Sequence, residues 1–149
     1  MRWLYSLAWY LALPWVLLSL WRRGAREPGY RQHWRERLAW YSALPSQHKL
    51  VIWLHAVSVG ETRAAQPLLL ALLQQYPQAK ILLTHMTPTG RATGAELFGK
   101  LGERVQQVYM PYDTGAMQAR FLRQFAPRLC ILMETEVWPN SVAQCQRAG

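Results

Sequence analysis

Residues 50–149 alternate short apolar runs with longer amphipathic segments, a pattern that predicts β/α repeats. The apolar runs predict four strands, at Leu50–Val57, Ala79–Met86, Arg104–Met110 and Arg128–Met133. The segments between them predict three helices, at Glu61–Tyr76, Arg91–Leu101 and Asp113–Phe125. Repeats at this spacing indicate an α/β fold, a Rossmann-like parallel sheet with helices on both faces.

Prolines set the ends of the predicted helices. Pro77 ends the first helix, and Pro67 lies awkwardly inside it, so we expect the regular helix to begin at about Gln66. The last residues, Ser141–Gly149, stop inside what the pattern predicts to be another helix. The fold is therefore expected to continue beyond this chain.

The amino-terminal segment is an element of a different kind. From Trp3 to Trp21, nineteen consecutive residues carry no formal charge, close to the roughly 20 that cross the hydrocarbon core of a bilayer. Trp3 and Trp21 stand at its ends, where amphipathic rings favour the membrane–water interface. Pro14 is expected to break the middle of the segment. A helix lying in the interface, or a buried soluble helix, therefore stays open beside a spanning helix.

Positive charge is concentrated beside this apolar segment. The 149 residues carry a formal net charge of +9, and residues 1–37 hold seven Arg against two Glu, which supplies +5 of it. Six of those Arg follow the segment and one precedes it, so the positive-inside rule places the rest of the chain in the cytoplasm. Residues 24–48 are expected to form a basic connector suited to anionic lipid headgroups.

Three parts make up the predicted organisation. A membrane-anchor helix occupies 1–23, the juxtamembrane connector occupies 24–48, and an incomplete Rossmann-like domain occupies 49–149. Hydrophobic residues make up 51% of the chain, enough to bury a core, which argues against disorder. The two cysteines show no CxxC spacing and favour a reducing compartment over a disulfide framework.

Several common chemistries have no motif in this sequence. No GxGxxG follows the first strand, no Walker A loop or HExxH occurs, and the four histidines are too scattered to suggest a metal site. A lone histidine at a strand end, such as His55, is more typical of a structural residue than of a catalyst. Neither a metal ion nor a cofactor is expected.

Carboxylates after two of the strands give the strongest chemical signal. Glu61 closes the run Ser58-Val59-Gly60-Glu61, which also matches a capping box and has that purely structural interpretation. Glu134 and Glu136 follow the fourth strand, where the alternative is a loop of solvated or salt-bridged acids. Because parallel strands end at one edge of a sheet, Glu61 and Glu134 are expected to face one cleft. There, one carboxylate would take a proton from an attacking hydroxyl, and the other would orient groups or stabilise positive charge at the reacting carbon.

Four ordered motifs are the most specific signature of the chain. They are His55-Ala-Val-Ser-Val-Gly-Glu61, Thr84-His-Met-Thr-Pro-Thr-Gly90, Val108-Tyr-Met-Pro-Tyr-Asp113 and Met133-Glu-Thr-Glu-Val-Trp-Pro-Asn140. Behind an Arg-flanked apolar amino terminus, they resemble the amino-terminal part of the 3-deoxy-D-manno-octulosonic acid (Kdo) transferase family. The resemblance covers essentially the whole chain, with mild departures at Ala56, where the family often has Ser, and at His85.

The resemblance implies a metal-independent, inverting glycosyltransferase of the GT-B type, in which this chain is the acceptor-side Rossmann domain. Such an enzyme moves Kdo from CMP-Kdo to the lipid A precursor, lipid IVA, at the cytoplasmic face of the bacterial inner membrane. The resemblance also implies that Glu61 is the catalytic base and that Glu134 stabilises the transition state. The residues assigned only to the substrate cleft are Ser58, Gly60, Thr87, Thr89, Gly90 and Glu136.

The resemblance further implies partners and a missing part. The expected partners are the CMP-Kdo donor, the lipid A precursor and membrane lipids, without nucleic acid. In this family a carboxyl-terminal domain holds most of CMP-Kdo, and that domain is expected to be absent here. The chain alone is therefore expected to be inactive.

Two other classes of protein stay open. A membrane-tethered Rossmann-type nucleotide-binding protein or oxidoreductase would fit the fold but would need a dinucleotide fingerprint. A nucleic-acid-binding module would need clustered Arg and Lys, whereas residues 38–149 carry only +4, scattered along the chain. Without the resemblance, the residues indicate a membrane-anchored α/β domain with an acidic cleft and sugar or nucleotide chemistry.

Overall fold

The computed structural model of the protein describes residues 2–42, 50–134 and 137–149, except for the side chain at position 2. The chain divides into two compact units. The helical unit comprises Met1–Ser42, Pro111–Arg123 and Val137–Gly149, and the sheet unit comprises Ala43–Met110 and Gln124–Glu136.

Parallel strands form the sheet unit. They are β1 (Leu50–His55), β2 (Ala79–His85), β3 (Val105–Tyr109) and β4 (Leu129–Leu132), in the order β3-β2-β1-β4. In the register of the ladder, Leu54 of β1 pairs with Leu83 of β2 and with Ile131 of β4. The chain steps outward from β1 to β3 and then returns to the other side of β1 as β4. The strand order therefore reverses between β1 and β4, and the region beyond the carboxyl ends of the strands at such a reversal is the usual ligand site of these sheets.

The core of the sheet unit lies between one face of the sheet and two helices, α3 (Val59–Gln75) and α4 (Pro88–Phe98). Ile52 and Leu54 of β1 pack there with Leu69 of α3, and each such buried side chain contributes roughly 1.5–3 kcal/mol. On the opposite face Trp53 is buried as well. Strands buried on both faces appear in a sequence as unbroken apolar runs, which is why they are easily recognised.

Helices make up the described part of the helical unit. They are α1 (Arg2–Arg23), α2 (Trp34–Arg37), most of α5 (Gly115–Phe125) and α6 (Pro139–Ala148), with a 3-10 turn at Pro28–Arg31. A second 3-10 segment, Gly99–Arg104, follows α4 in the sheet unit. The buried carboxylate of Asp113 caps α6, accepting hydrogen bonds from the backbone N–H groups of Asn140 at 3.0 Å and Ser141 at 2.8 Å. Its charge is stabilised by the positive end of the helix.

The predicted fold class, a parallel α/β sheet of Rossmann type behind an apolar amino-terminal helix, is confirmed. The expected effect of Pro67 is wrong, because α3 runs unbroken from Val59 to Gln75. Proline removes one helical hydrogen bond, and the cap at Ser58 fixes the start of the helix instead. The expected break at Pro14 is wrong as well, since α1 continues through it. The boundaries predicted for the three parts of the chain stay a prediction.

Among the described residues, one helical stretch, Trp3–Arg23, is long and apolar enough to cross a membrane, with a mean hydropathy of 1.4. This criterion rests on length and composition alone. The segment is consistent with membrane association.

Candidate active site

Glu61 lies in the first turn of α3, directly beyond β1, and its carboxylate is held on both oxygens. The Ser58 hydroxyl donates to Glu61 Oε1 at 2.8 Å, and the backbone N–H of Val57 donates to Glu61 Oε2 at 2.8 Å. Ser58 is also the N-cap of α3, since its oxygen accepts from the Glu61 N–H at 3.4 Å. The capping role foreseen for this run of residues is present, and the helix N-terminus favours the charge of Glu61.

The cap uses only part of the hydrogen-bonding capacity of the Glu61 carboxylate. An ionised carboxylate offers about four acceptor positions, and the two bonds from Ser58 and Val57 use one on each oxygen. The residue is half-buried and so partly accessible to solvent. Capping and proton transfer are therefore compatible roles for one carboxylate, with the cap fixing its orientation.

The loop between β2 and α4 is bonded to the loop that carries Glu61. Thr87 caps α4 by accepting from the Gly90 N–H at 3.1 Å, and its hydroxyl donates to the Val57 carbonyl at 3.0 Å. A Cβ atom at Gly90 would lie 3.0 Å from the same carbonyl. Glycine at this position lets the first turn of α4 approach the Glu61 loop closely. The structure thus brings Ser58, Glu61, Thr87 and Gly90 together.

His85, at the end of β2, is hydrogen-bonded to the loop that carries Glu61. Its Nδ1 lies 2.9 Å from the Ala56 carbonyl, which only accepts, so Nδ1 carries the hydrogen. With the Gln107 amide turned over, the NH2 group of Gln107 donates to His85 Nε2 at 2.9 Å. Burial lowers the pKa of His85 to about 4, which keeps the ring neutral. A Cβ atom at Gly94 would meet both the Gln107 amide and the His85 ring.

His55, at the end of β1, is 2% exposed. Its Nδ1 lies 2.7 Å from the Thr84 hydroxyl, which also accepts from Trp53 Nε1 at 2.8 Å. Burial lowers the pKa of His55 to about 4, and within the described chain its Nε2 has no hydrogen-bond partner. A neutral ring enclosed in this way fits the structural interpretation of His55.

Glu134 emerges from the strand next to β1. The Met133 N–H donates to the His55 carbonyl at 3.1 Å, so the β1–β4 ladder extends to Met133 and the exposed Glu134 follows it. Glu61 and Glu134 therefore follow adjacent parallel strands, at the edge where the strand order reverses. This placement was expected from the sequence.

The other predicted site residues divide into two groups. Gly60 and Thr89 are exposed in the first turns of α3 and α4, and so belong to the same edge as Glu61. Glu136 lies outside the described residues. The catalytic and binding roles of all these residues stay predictions.

Other features lie away from these residues. A cleft of about 720 Å³ in the helical unit is lined by α1 and α6 together with Gly115, and none of the predicted site residues lines it. Within the described ranges, no group of three His, Cys, Asp or Glu side chains could hold a metal ion.

Sequence reasoning did not foresee the network of His85, Gln107 and Gly94. The second motif contains His85, which could have drawn attention to it. Its partner Gln107 lies on β3, however, and Gly94 lies on α4. Only the register between β2 and β3 brings these residues together.

Comparisons with known proteins indicate the family of the chain. A family model described as 3-deoxy-D-manno-octulosonic-acid transferase (kdotransferase) matches residues 32–149. The chain is similar to the 3-deoxy-D-manno-octulosonic acid transferase of Bordetella pertussis, at 43% identity over 99% of this chain and 35% of that protein. The protein of the same name from Haemophilus influenzae is 36% identical over 96% of this chain and 33% of its own length. A probable mitochondrial 3-deoxy-D-manno-octulosonic acid transferase of Arabidopsis thaliana is 33% identical over 93% of this chain and 30% of its length.

The chain therefore spans about a third of the length of these curated relatives. The family model, by contrast, matches well over half of the chain itself. On that match, the chain belongs to the 3-deoxy-D-manno-octulosonic-acid transferase family.

Proposed function

We propose that the protein acts as a glycosyltransferase that moves Kdo from CMP-Kdo to the lipid A precursor in lipopolysaccharide biosynthesis. Family membership supports the class of reaction. The observation that carries the proposal for the site is the position of Glu61, a carboxylate fixed by two hydrogen bonds at the reversal point of a parallel sheet. Such crevices are where doubly wound sheets bind their ligands.

Glu61 is the proposed general base. In an inverting transfer, the base takes the proton of the acceptor hydroxyl while the hydroxyl oxygen attacks the anomeric carbon, opposite the departing CMP. The bonds from Ser58 and Val57 hold the carboxylate in one orientation, so little reorganisation is needed when the acceptor binds. No metal ion or cofactor takes part in this step.

Glu134 is proposed to act on the sugar rather than on the hydroxyl. Positive charge develops at the anomeric carbon in an oxocarbenium-like transition state, and a nearby carboxylate stabilises it. Glu134 is exposed just beyond β4, the strand adjacent to β1. The residues proposed to line the substrate cleft around the two carboxylates are Ser58, Gly60, Thr87, Thr89, Gly90 and Glu136.

The proposed location is the cytoplasmic face of the bacterial inner membrane, with the lipid precursor as acceptor. The apolar helix α1 and the Arg residues that follow it support this location. Membrane lipids are then partners of the protein as well as its surroundings.

The test is Glu61→Gln in a version of the protein that spans the full length of its relatives. Glutamine preserves the shape of the side chain, and its oxygen can still accept from the Val57 N–H while its NH2 group donates to Ser58 Oγ, but it cannot take the proton. We expect the rate of Kdo transfer from CMP-Kdo to fall by about 10²–10⁴-fold, with the melting temperature nearly unchanged.

Glu96→Gln is the matched control, because Glu96 is an exposed glutamate on the neighbouring helix α4. It should transfer Kdo at the wild-type rate. Wild-type turnover by a folded Glu61→Gln protein would exclude Glu61 as the base.

A further inference from the structure

The apolar helix α1 presents a continuous exposed stripe along one side. Its members are Leu4, Leu7, Leu11, Trp15 and Leu18, with exposed fractions of 52%, 48%, 74%, 71% and 44%. They recur every three or four residues, the spacing of one helical face. None of them is charged, so water is a poor environment for this side of the helix.

The opposite side of α1, called here the covered side, is less exposed. Ser6, Trp9, Leu13, Val16 and Leu20 also recur every three or four residues, and all are half-buried or buried. At about 100° per residue, the two stripes are centred on opposite sides of the helix. Leu20, near the carboxyl end of α1, is the buried member of this side at 8% exposure.

Polar contacts fix the covered side near its amino-terminal end. The Asn140 amide donates to Ser6 Oγ at 3.1 Å, and the Ser6 hydroxyl lies 3.2 Å from Asn140 Oδ1. The ring of Trp9 lies 5.7 Å from that of Tyr112 and 6.1 Å from that of Trp138. The first turns of α1 are therefore bound to the start of α6 and to the segment before α5.

These contacts are incompatible with α1 crossing a bilayer. A helix of this length would use nearly all of its residues to cross the hydrocarbon core, and the elements bound at Ser6 and Trp9 would enter the core with it. Those elements include the carboxylate of Asp113, the exposed Arg147 of α6 and the non-helical backbone of residues 111–114. Charged groups and irregular backbone are excluded from lipid-exposed hydrocarbon.

We propose that α1 lies in the plane of the membrane interface, with its exposed stripe inserted into an anionic lipid surface and its covered stripe bound to the helical unit. The occupant of the stripe is the bilayer, because exposed Arg22, Arg23 and Arg26 continue from the carboxyl end of α1 and complement anionic headgroups. An in-plane helix of this kind inserts about 5–10 Å below the headgroups. The proposal concerns membrane geometry and is independent of the sugar chemistry.

Fluorescent probes at three positions along α1 test this geometry. In a Cys130→Ala/Cys145→Ser background, single cysteines replace Leu4, Leu11 and Leu18, which are spaced by seven residues on the exposed stripe. Each is labelled with an environment-sensitive dye and bound to vesicles of phosphatidylethanolamine and phosphatidylglycerol. Quenchers attached at shallow and deep positions of the lipid chains then report the depth of each dye.

An in-plane helix places all three dyes at one shallow depth. A spanning helix places the dye at position 11 deepest and the other two near opposite surfaces, and this pattern would overturn the proposal. A cysteine at the exposed Glu96 of α4 is the control and should not be quenched. Circular dichroism of each labelled protein checks that the helices are intact.

A second measurement is independent of quenching depth. Dithionite added outside the vesicles should reduce the dyes at positions 4 and 18 equally fast, because both face the same leaflet. Protection of one of them would mean that α1 spans the bilayer. Absence of vesicle binding, with concentration-dependent dimerisation instead, would identify a second copy of the chain as the partner of the stripe and would also refute the proposal.

Discussion

Gly94 determines how closely α4 approaches the end of β2. A Cβ atom there would meet the Gln107 amide and would lie 3.0 Å from His85 Nε2. The two side chains are hydrogen-bonded to each other, and His85 in turn holds the Ala56 carbonyl. The space beside Gly94 is therefore part of the support for the loop that carries Glu61.

We expect Gly94→Ala to destabilise the fold by about 1–3 kcal/mol, the usual cost of overpacking. The added methyl group must displace either the Gln107 amide or helix α4, and either change weakens the His85 bond. Urea unfolding followed by circular dichroism measures the difference.

Gly99→Ala provides the matched control. Gly99 follows α4 with helical φ and ψ, and a Cβ atom there would meet nothing within 4 Å. This variant should be as stable as the wild type or slightly more stable. Equal stability of both variants would show that α4 adjusts to the methyl group without strain.

Glu61 combines an observed capping role with a proposed catalytic one. From the sequence, the capping box and the catalytic carboxylate were competing interpretations of the same four residues. In the structure the capping bonds use one acceptor position on each oxygen and leave another open. Local sequence spacing could predict the cap, but the accessibility of the remaining positions depends on how the neighbouring loop packs.

Strands β1 and β2 each end in a histidine that burial keeps neutral. The pKa of His55 and that of His85 both fall from 6.5 to about 4, chiefly because burial disfavours the charged ring. Above pH 6.5 the folded and unfolded chains both hold these rings neutral, so stability does not depend on their titration. Between pH 6.5 and 4 the unfolded chain binds protons that the folded chain does not. The free energy of unfolding therefore decreases as the pH is lowered through this range.

We therefore expect the chain to lose stability on acidification, by on the order of a few kcal/mol for the two rings together, at ~1.4 kcal/mol per pKa unit. Urea unfolding between pH 7 and pH 5 measures the slope. His85→Asn removes one titrating ring and should make the slope shallower.

Gln74→Asn is the control for this prediction. Gln74 is an exposed side chain on α3 that carries no titrating group. The slope should then match that of the wild type. If His85→Asn leaves the slope unchanged as well, His85 is not a source of the acid sensitivity.

The strands and helices were largely predictable, whereas their long-range contacts were not. Buried parallel strands appear as continuous apolar runs, and their order along the chain fixed the edge shared by Glu61 and Glu134. Pro14 and Pro67 misled the prediction, because a helix held by a cap or by packing tolerates the loss of one hydrogen bond. The cap that Asp113 provides for Asn140 joins residues 27 positions apart, a separation that no local pattern reports.

The long-range contacts of helix α1 were likewise not predictable from its sequence. Its composition allowed a spanning, an interfacial or a buried helix, because nineteen uncharged residues satisfy all three. The contact between Ser6 and Asn140 binds the amino-terminal half of the helix to polar structure, and the proposed in-plane position rests on it. The three- to four-residue spacing of side chains along α1 indicates its orientation only when the covered and exposed sides of the helix are known.

Membrane binding should depend on where the arginines lie in the chain as well as on the net charge. Arg22 and Arg23 are exposed at the end of α1, and each arginine near an anionic surface contributes ~1 kcal/mol to binding. An Arg22→Gln/Arg23→Gln protein should therefore partition roughly 30-fold more weakly into phosphatidylglycerol-containing vesicles. Binding to neutral phosphatidylcholine vesicles, which depends on the apolar stripe alone, should change little.

The matched control is Arg63→Gln/Arg123→Gln, which lowers the net charge by the same amount at two exposed positions on α3 and α5. If location governs binding, this protein partitions nearly as the wild type does, and added salt weakens both proteins that retain Arg22 and Arg23. An equal loss of binding by the two double variants would mean that net charge alone attracts the chain to lipid. The arginines beside α1 would then have no special part in holding the helix at the interface.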